Sequence, residues 1–135
     1  MLDASVVTDA MAVSGPAGER ARRLLASERV LHVPAIVGAE VTSALRVMVT
    51  RGLLSAGDAR GAAVRASSLR ARRYPFEPFL PRVWELRENI TTYGAWYVAL
   101  AEALETCLVT SDDRLRRAAE PRCPVLTPEE ALALP

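Results

Sequence analysis

Residues 93–102 carry the clearest pattern of buried positions, with apolar residues in nearly every place. The pattern predicts a helix that is capped by a threonine at 91 or 92 and ends near Glu105. On a helical wheel, Gly94 falls on the same inward face as Tyr97 and Val98. Glycine is an unusual residue there, because inside a helix it costs about 1 kcal/mol relative to alanine and adds nothing to packing.

The rest of the chain alternates predicted strands and helices. Strands are expected at 2–7, 30–33, 107–110 and 125–126, and residues 74–76 are expected to be a short strand or an extended link. Helices are expected from the end of the first strand to about residue 13, at 17–26, from Pro34 to just before Gly52, at 55–71, 79–89 and 113–119, and from Thr127 onward. This alternation predicts one domain over residues 1–135, with a central parallel sheet between two helical layers.

Three acidic residues stand in apolar surroundings. Asp3 is the only charge near the first strand, where it is either a helix cap or a site residue. Glu40 lies in the middle of an apolar helical stripe, so it should be protonated, paired with a cation or bound to a metal. Asp112 follows the strand at 107–110. Ligands of parallel α/β sheets bind beyond the carboxyl ends of the strands, so we expect the three acids to converge there.

Gathered carboxylates repel one another, and a divalent cation relieves that repulsion. Oxygen ligands without histidine or cysteine favour Mg²⁺ or Mn²⁺. Such an ion can activate water and stabilise the charge that develops on a phosphodiester, which predicts metal-assisted phosphodiester hydrolysis. The single histidine, His32, is interpreted as structural, and Cys107 as a small core residue.

Composition narrows the function classes further. The net charge is +1, and all 17 basic residues are arginine. Some of the arginines form clusters at 20–23, 70–73 and 114–117. These clusters are either solvated helix faces or phosphate contacts. Without lysine the chain can be neither a P-loop protein nor a response-regulator receiver domain. No apolar run is long enough for a membrane span and no signal peptide is recognised, so we expect a cytoplasmic protein.

Four segments together resemble a PIN domain, most similar to the VapC toxins of bacterial toxin–antitoxin pairs. They are residues 2–7, 33–41, 92–101 and 108–112. The resemblance implies a compact α/β/α fold that is usually dimeric. It also implies an endoribonuclease that depends on Mg²⁺ or Mn²⁺ and is held inactive by a VapB-like antitoxin.

The resemblance also assigns the site residues. It implies catalytic roles for Asp3, Glu40 and Asp112, with the Thr110 hydroxyl beside them and Asp3 and Asp112 as metal ligands. The third acid of the family, an aspartate that normally binds the metal, falls on Gly94. Its absence affects the expected activity more than the expected fold.

Gly94 leaves the function open between two main hypotheses. In the first, the chain is a toxin-type ribonuclease with an incomplete metal site, whether by natural divergence, deliberate inactivation or selection during expression. In the second, it is a non-catalytic PIN-like module that binds an antitoxin and contributes to operator regulation. A structure-specific DNA nuclease is less favoured, because the chain lacks the long insertions of such enzymes.

Overall fold

Four short parallel strands form the centre of the molecule. The structure is a computed structural model that describes residues 1–27 and 29–135. The strands are β1 (His32–Pro34), β2 (Arg72–Tyr74), β3 (Leu108–Val109) and β4 (Val125–Leu126). β1 pairs with β2, and β3 pairs with β4, in each case in parallel. Leu2 joins the two pairs, because it forms a parallel bridge with Val109 and its N–H donates to the His32 carbonyl at 3.0 Å. The carboxyl ends of these segments therefore share one edge.

Helices surround this parallel layer. They are α1 (Ala4–Ala12), α2 (Gly15–Leu25), α3 (Val37–Thr50), α4 (Ala56–Ser67), α5 (Leu80–Glu85), α6 (Thr92–Ala103), α7 (Asp113–Ala119) and α8 (Pro128–Ala133). A 3₁₀ turn, Glu77–Phe79, precedes α5. α1 packs against α2, α3 and α4, whereas α6 packs against α5, β1 and β3. The arrangement confirms the predicted α/β fold with a parallel sheet. In the described parts of the chain, none of the helices has the length and apolar character needed to cross a bilayer.

Local capping explains where several helices begin. The Thr91 hydroxyl accepts the N–H of Gly94 at 3.2 Å, which starts α6 at the predicted place. Thr127 and Glu130 form a reciprocal capping box at the start of α8. Each cap satisfies an N–H group that has no partner within its own helix.

The central part of α6 is enclosed on every side. Its residues from Gly94 to Ala101 are all buried, as expected for a helix that is apolar all round. Gly94 therefore points into the core, as the sequence predicts. Trp96 packs edge-to-face against Phe76, with ring centroids 5.1 Å apart.

Two predicted boundaries near the amino-terminal half are wrong. The expected strand at 2–7 is reduced to the single bridge at Leu2, because the Asp3 side chain accepts the N–H of Ser5 and starts α1 at Ala4. Pro34 does not open a helix but is the last residue of β1. The N–H of Ala35 still donates to the Tyr74 carbonyl at 2.9 Å, so the strand pairing persists and α3 begins only at Val37.

The segment between α4 and α6 also departs from the prediction. α4 ends at Ser67 rather than near residue 71, and β2 lies at Arg72–Tyr74 instead of 74–76. The predicted helix at 79–89 shortens to the six residues of α5. Leu80 and Trp84 are 50% and 64% exposed, whereas Val83 of the same helix is buried.

Candidate functional site

A cavity of about 430 Å³ opens at the carboxyl edge of the strands. Asp3, Glu40 and Asp112 line it together with Gly94 and Tyr97. A second cavity of similar size lies beside it and shares the three acidic residues. The structure thus brings together residues that are far apart in sequence, on the wall of one pocket.

Asp3 is the most deeply buried of the acids, with 7% of its surface exposed. Its Oδ2 accepts hydrogen bonds from the Ser5 N–H at 3.3 Å, the Ser5 hydroxyl and the Thr110 hydroxyl at 2.9 Å. Burial raises the pKa of Asp3, and the hydrogen bonds from Ser5 and Thr110 counteract part of that rise. Asp3 is therefore both the cap of α1 and a wall of the cavity.

Two hydroxyl groups connect Asp3 to the loop that carries Asp112. Thr110 Oγ1 accepts the N–H of Asp112 at 3.0 Å, and Ser5 Oγ accepts the N–H of Ser111 at 3.0 Å. Asp112 caps α7, since its Oδ1 accepts the N–H groups of Arg114 at 2.8 Å and Leu115 at 3.2 Å. One oxygen of Asp112 is consequently committed to the helix end.

Glu40 projects from α3 and is half-buried. Its Oε2 accepts a hydrogen bond of 2.7 Å from the hydroxyl of Tyr97, which is 1% exposed. Burial and the charge of Asp3 raise the pKa of Glu40, whereas the bond from Tyr97 lowers it. Burial and the nearby Glu40 carboxylate raise the pKa of Tyr97, which therefore remains a donor. The sequence predicts that Glu40 is protonated, paired with a cation or bound to a metal, and the structure shows in addition a hydrogen bond from Tyr97.

Gly94 lies one helical turn before Tyr97 and leaves no open space at its Cα. A Cβ atom built there would lie 2.9 Å from Ile90 Cγ2, 3.0 Å from Leu115 Cδ1 and 3.2 Å from Thr91 Oγ1. Neighbouring side chains thus already occupy the place where a side chain would begin.

Residues 1–121 match the PIN domain family. The chain belongs to this family. It is 42% identical over 125 residues to VapC ribonuclease Mb0985 of Mycobacterium bovis, an alignment that covers 93% of this chain and 94% of the relative. It is 41% identical over 119 residues to ribonuclease VapC1 of Mycobacterium tuberculosis, which covers 87% of this chain and 89% of the relative. The chain is therefore a VapC-type PIN domain.

The acidic residues at the site of this PIN domain are suitable ligands for a hard cation, but they are not positioned to hold one together. Its candidate ligands are carboxylate oxygens, which Mg²⁺ and Mn²⁺ prefer. Within residues 1–27 and 29–135, however, no three histidine, cysteine, aspartate or glutamate side chains come together in a way that could hold a metal ion. Gly94 contributes no ligand, and Asp112 has one oxygen in a helix cap. The residues present do not fit a divalent cation held by three side chains.

Sequence reasoning missed several neighbours of the site. The helical wheel puts Tyr97 on the inward face of its helix, but nothing in the spacing identifies Glu40 as its partner. Ser5 carries no signal beyond its position two residues after Asp3, which is typical of a capping turn. The contacts of Ile90 and Leu115 around Gly94 depend on tertiary packing.

Proposed function

We propose that this VapC-type PIN domain is the toxin of a type II toxin–antitoxin pair, with a site for RNA phosphodiester hydrolysis that lacks its third aspartate at Gly94. The observation that carries the proposal is the single cavity lined by Asp3, Glu40 and Asp112 at the carboxyl edge of the strands. The similar mycobacterial VapC proteins are named as ribonucleases, which supports RNA as the substrate.

In this proposal the three acidic residues have different roles at the cavity. Asp3 and Asp112 are the residues that would bind Mg²⁺ or Mn²⁺ in a complete site. Glu40 has one oxygen fixed by Tyr97, while Oε1 accepts no hydrogen bond from the described residues, so Oε1 can take a proton from water. Thr110 positions both aspartates, because its hydroxyl bonds the Asp3 carboxylate and the N–H of Asp112.

The proposed partners are RNA, a VapB-like antitoxin and a second copy of the chain. Arg114 lines the cavity and is exposed, which suits a contact with an RNA phosphate. Leu80 and Trp84 are exposed one turn apart on α5, which supports a homodimer interface there. Sedimentation equilibrium measures the oligomeric state and so tests this interface. Because cellular RNA is the proposed substrate, the proposed location is the cytoplasm.

The alternative is a non-catalytic module that binds the antitoxin and contributes to operator regulation. Its supporting observation is the close contact that a side chain at position 94 would make with Ile90 and Leu115. Such a protein would keep its antitoxin-binding surface without cutting RNA.

Cleavage of a mixed pool of cellular RNA by purified protein distinguishes the two functions. We expect Gly94→Asp, combined with Ile90→Leu to remove the 2.9 Å contact at position 94, to gain Mg²⁺-dependent cleavage that is abolished by chelation. Gly94→Asn in the same Ile90→Leu background, of similar size but without charge, should gain none. Antitoxin should inhibit the gained activity. If folded variants with an acid at position 94 cut no RNA across a broad panel, the ribonuclease proposal is wrong and the binding module is favoured.

A further inference from the structure

We infer that Ile90, through its Cγ2 branch, determines whether position 94 of this chain can carry any side chain, so that completing the metal site takes two substitutions rather than one. The part that concerns the metal rests on the proposed function. The part that concerns packing rests on the geometry alone.

The three atoms around position 94 differ in how easily they can move. Ile90 Cγ2, at 2.9 Å from the Cβ position, branches directly from the Cβ of a residue that is 7% exposed. A β-branched side chain has few χ1 options, and burial removes most of them. Leu115 Cδ1, at 3.0 Å, is the far end of a half-buried flexible side chain and can turn away. Ile90 is therefore the residue that resists a side chain at position 94.

Leucine at position 90 would remove this obstacle. Leucine has the same number of atoms as isoleucine, but its branch lies one carbon further from the backbone. Ile90→Leu thus eliminates the 2.9 Å contact and keeps the apolar volume of the residue that precedes Thr91.

Alanine at position 94 tests the packing without adding charge. In a helix with free space, glycine to alanine raises the melting temperature, as we expect for Gly57→Ala in α4, where a Cβ would meet only Ser55 Oγ at 3.9 Å. We expect Gly94→Ala to lower the melting temperature, on the order of 5 °C, and Gly94→Ala combined with Ile90→Leu to recover it. A higher melting temperature for Gly94→Ala alone would overturn the inference.

Calorimetric titration with Mn²⁺ tests the metal site. The four proteins are the chain itself, Gly94→Asp, Ile90→Leu and the double variant that combines the two substitutions. We expect the double variant to bind Mn²⁺ at least about tenfold more tightly than Gly94→Asp, and the two proteins that keep glycine at position 94 to show no such site.

The outcomes separate this inference from the proposed function. Equal Mn²⁺ affinity of Gly94→Asp and the double variant would overturn the inference, and so would a double variant that binds no Mn²⁺. RNA cleavage by Gly94→Asp at the rate of the double variant would overturn it too, yet leave the ribonuclease proposal intact. A double variant that binds Mn²⁺ tightly but cuts no RNA would support the inference and contradict the ribonuclease proposal.

Discussion

The hydrogen bond from Tyr97 to Glu40 has a measurable, pH-dependent effect on stability. Tyr97→Phe removes only the hydroxyl, which donates to the carboxylate over 2.7 Å from a nearly fully buried ring. A hydrogen bond to a charged group contributes about 1.5–3 kcal/mol. Glu40 is half-buried, so water replaces part of the lost bond, and we expect a loss of about 1.5 kcal/mol above the pKa of Glu40.

The loss should shrink on acidification. Because the folded pKa of Glu40 is raised, this group makes the fold less stable above that pKa, and the penalty disappears as the pH falls through it. Tyr97→Phe raises the pKa further and so enlarges the penalty at high pH. Once Glu40 is protonated, only a neutral hydrogen bond remains to be lost, worth about 0.5–1 kcal/mol.

Urea denaturation near pH 8 and about pH 4.5 measures both values. Tyr93→Phe is the control, since Tyr93 is 55% exposed and its hydroxyl makes no hydrogen bond with the described residues. The stability of this variant should differ from that of the unmodified chain by the same small amount at both pH values. An identical stability of Tyr97→Phe and the unmodified chain near pH 8, or an equal loss at both pH values, would contradict the stabilising role of this hydrogen bond.

Two further predictions concern the hydrogen bonds around Asp3. Asp3→Asn keeps an oxygen acceptor for Ser5 and Thr110 but removes a buried charge, so it should raise stability by about 1 kcal/mol near pH 8. Because the folded pKa of Asp3 is raised, that gain should vanish as the pH falls through this pKa. Urea titrations above and below the pKa measure the gain, and a gain of the same size at both pH values would contradict the prediction. Thr110→Val removes the hydroxyl that bonds both Asp3 and the Asp112 N–H, and we expect a loss of about 2 kcal/mol by thermal unfolding. Thr110→Ser, which keeps the hydroxyl, should retain most of the stability, and equal losses for both variants would argue against the bond.

Local chemistry was enough to predict the later elements. Thr91 and Thr127 mark the starts of α6 and α8 by capping, and the prediction for α7 coincides with Asp113–Ala119. Each of these signals lies within a few residues of the element that it starts. These helix starts can therefore be predicted without knowing how distant residues pack against them.

Competition between signals explains the misplaced elements. Val6 and Val7 favour a strand by propensity, but the Asp3 cap directs the same residues into α1. Pro34 is well suited to a first helical turn, yet it pairs in register with Tyr74 of β2, a residue distant in the sequence. A local cap decided the first case, and a tertiary contact decided the second.

The candidate site was predictable as a set of residues but not as a set of bonds. The apolar settings of Asp3, Glu40 and Asp112 predicted that they meet at one edge, and they line one cavity. The partner of Glu40 is 57 residues away on another helix, and residue spacing carries no information about such a pairing.

Because α6 is enclosed and the segment before α7 is exposed, we expect the two sides of the cavity to differ in how readily they open. We expect the amide hydrogens of Tyr97 and Val98 to exchange with solvent only when the whole domain opens, because the helix is buried on every face around them. Asp112, which also lines the cavity, and the neighbouring Ser111 are exposed, so we expect their segment to open on its own at a lower free energy. We therefore expect a molecule that enters the cavity to contact a rigid side at α6 and an adjustable side at Asp112, and to slow hydrogen–deuterium exchange first at residues 111–114.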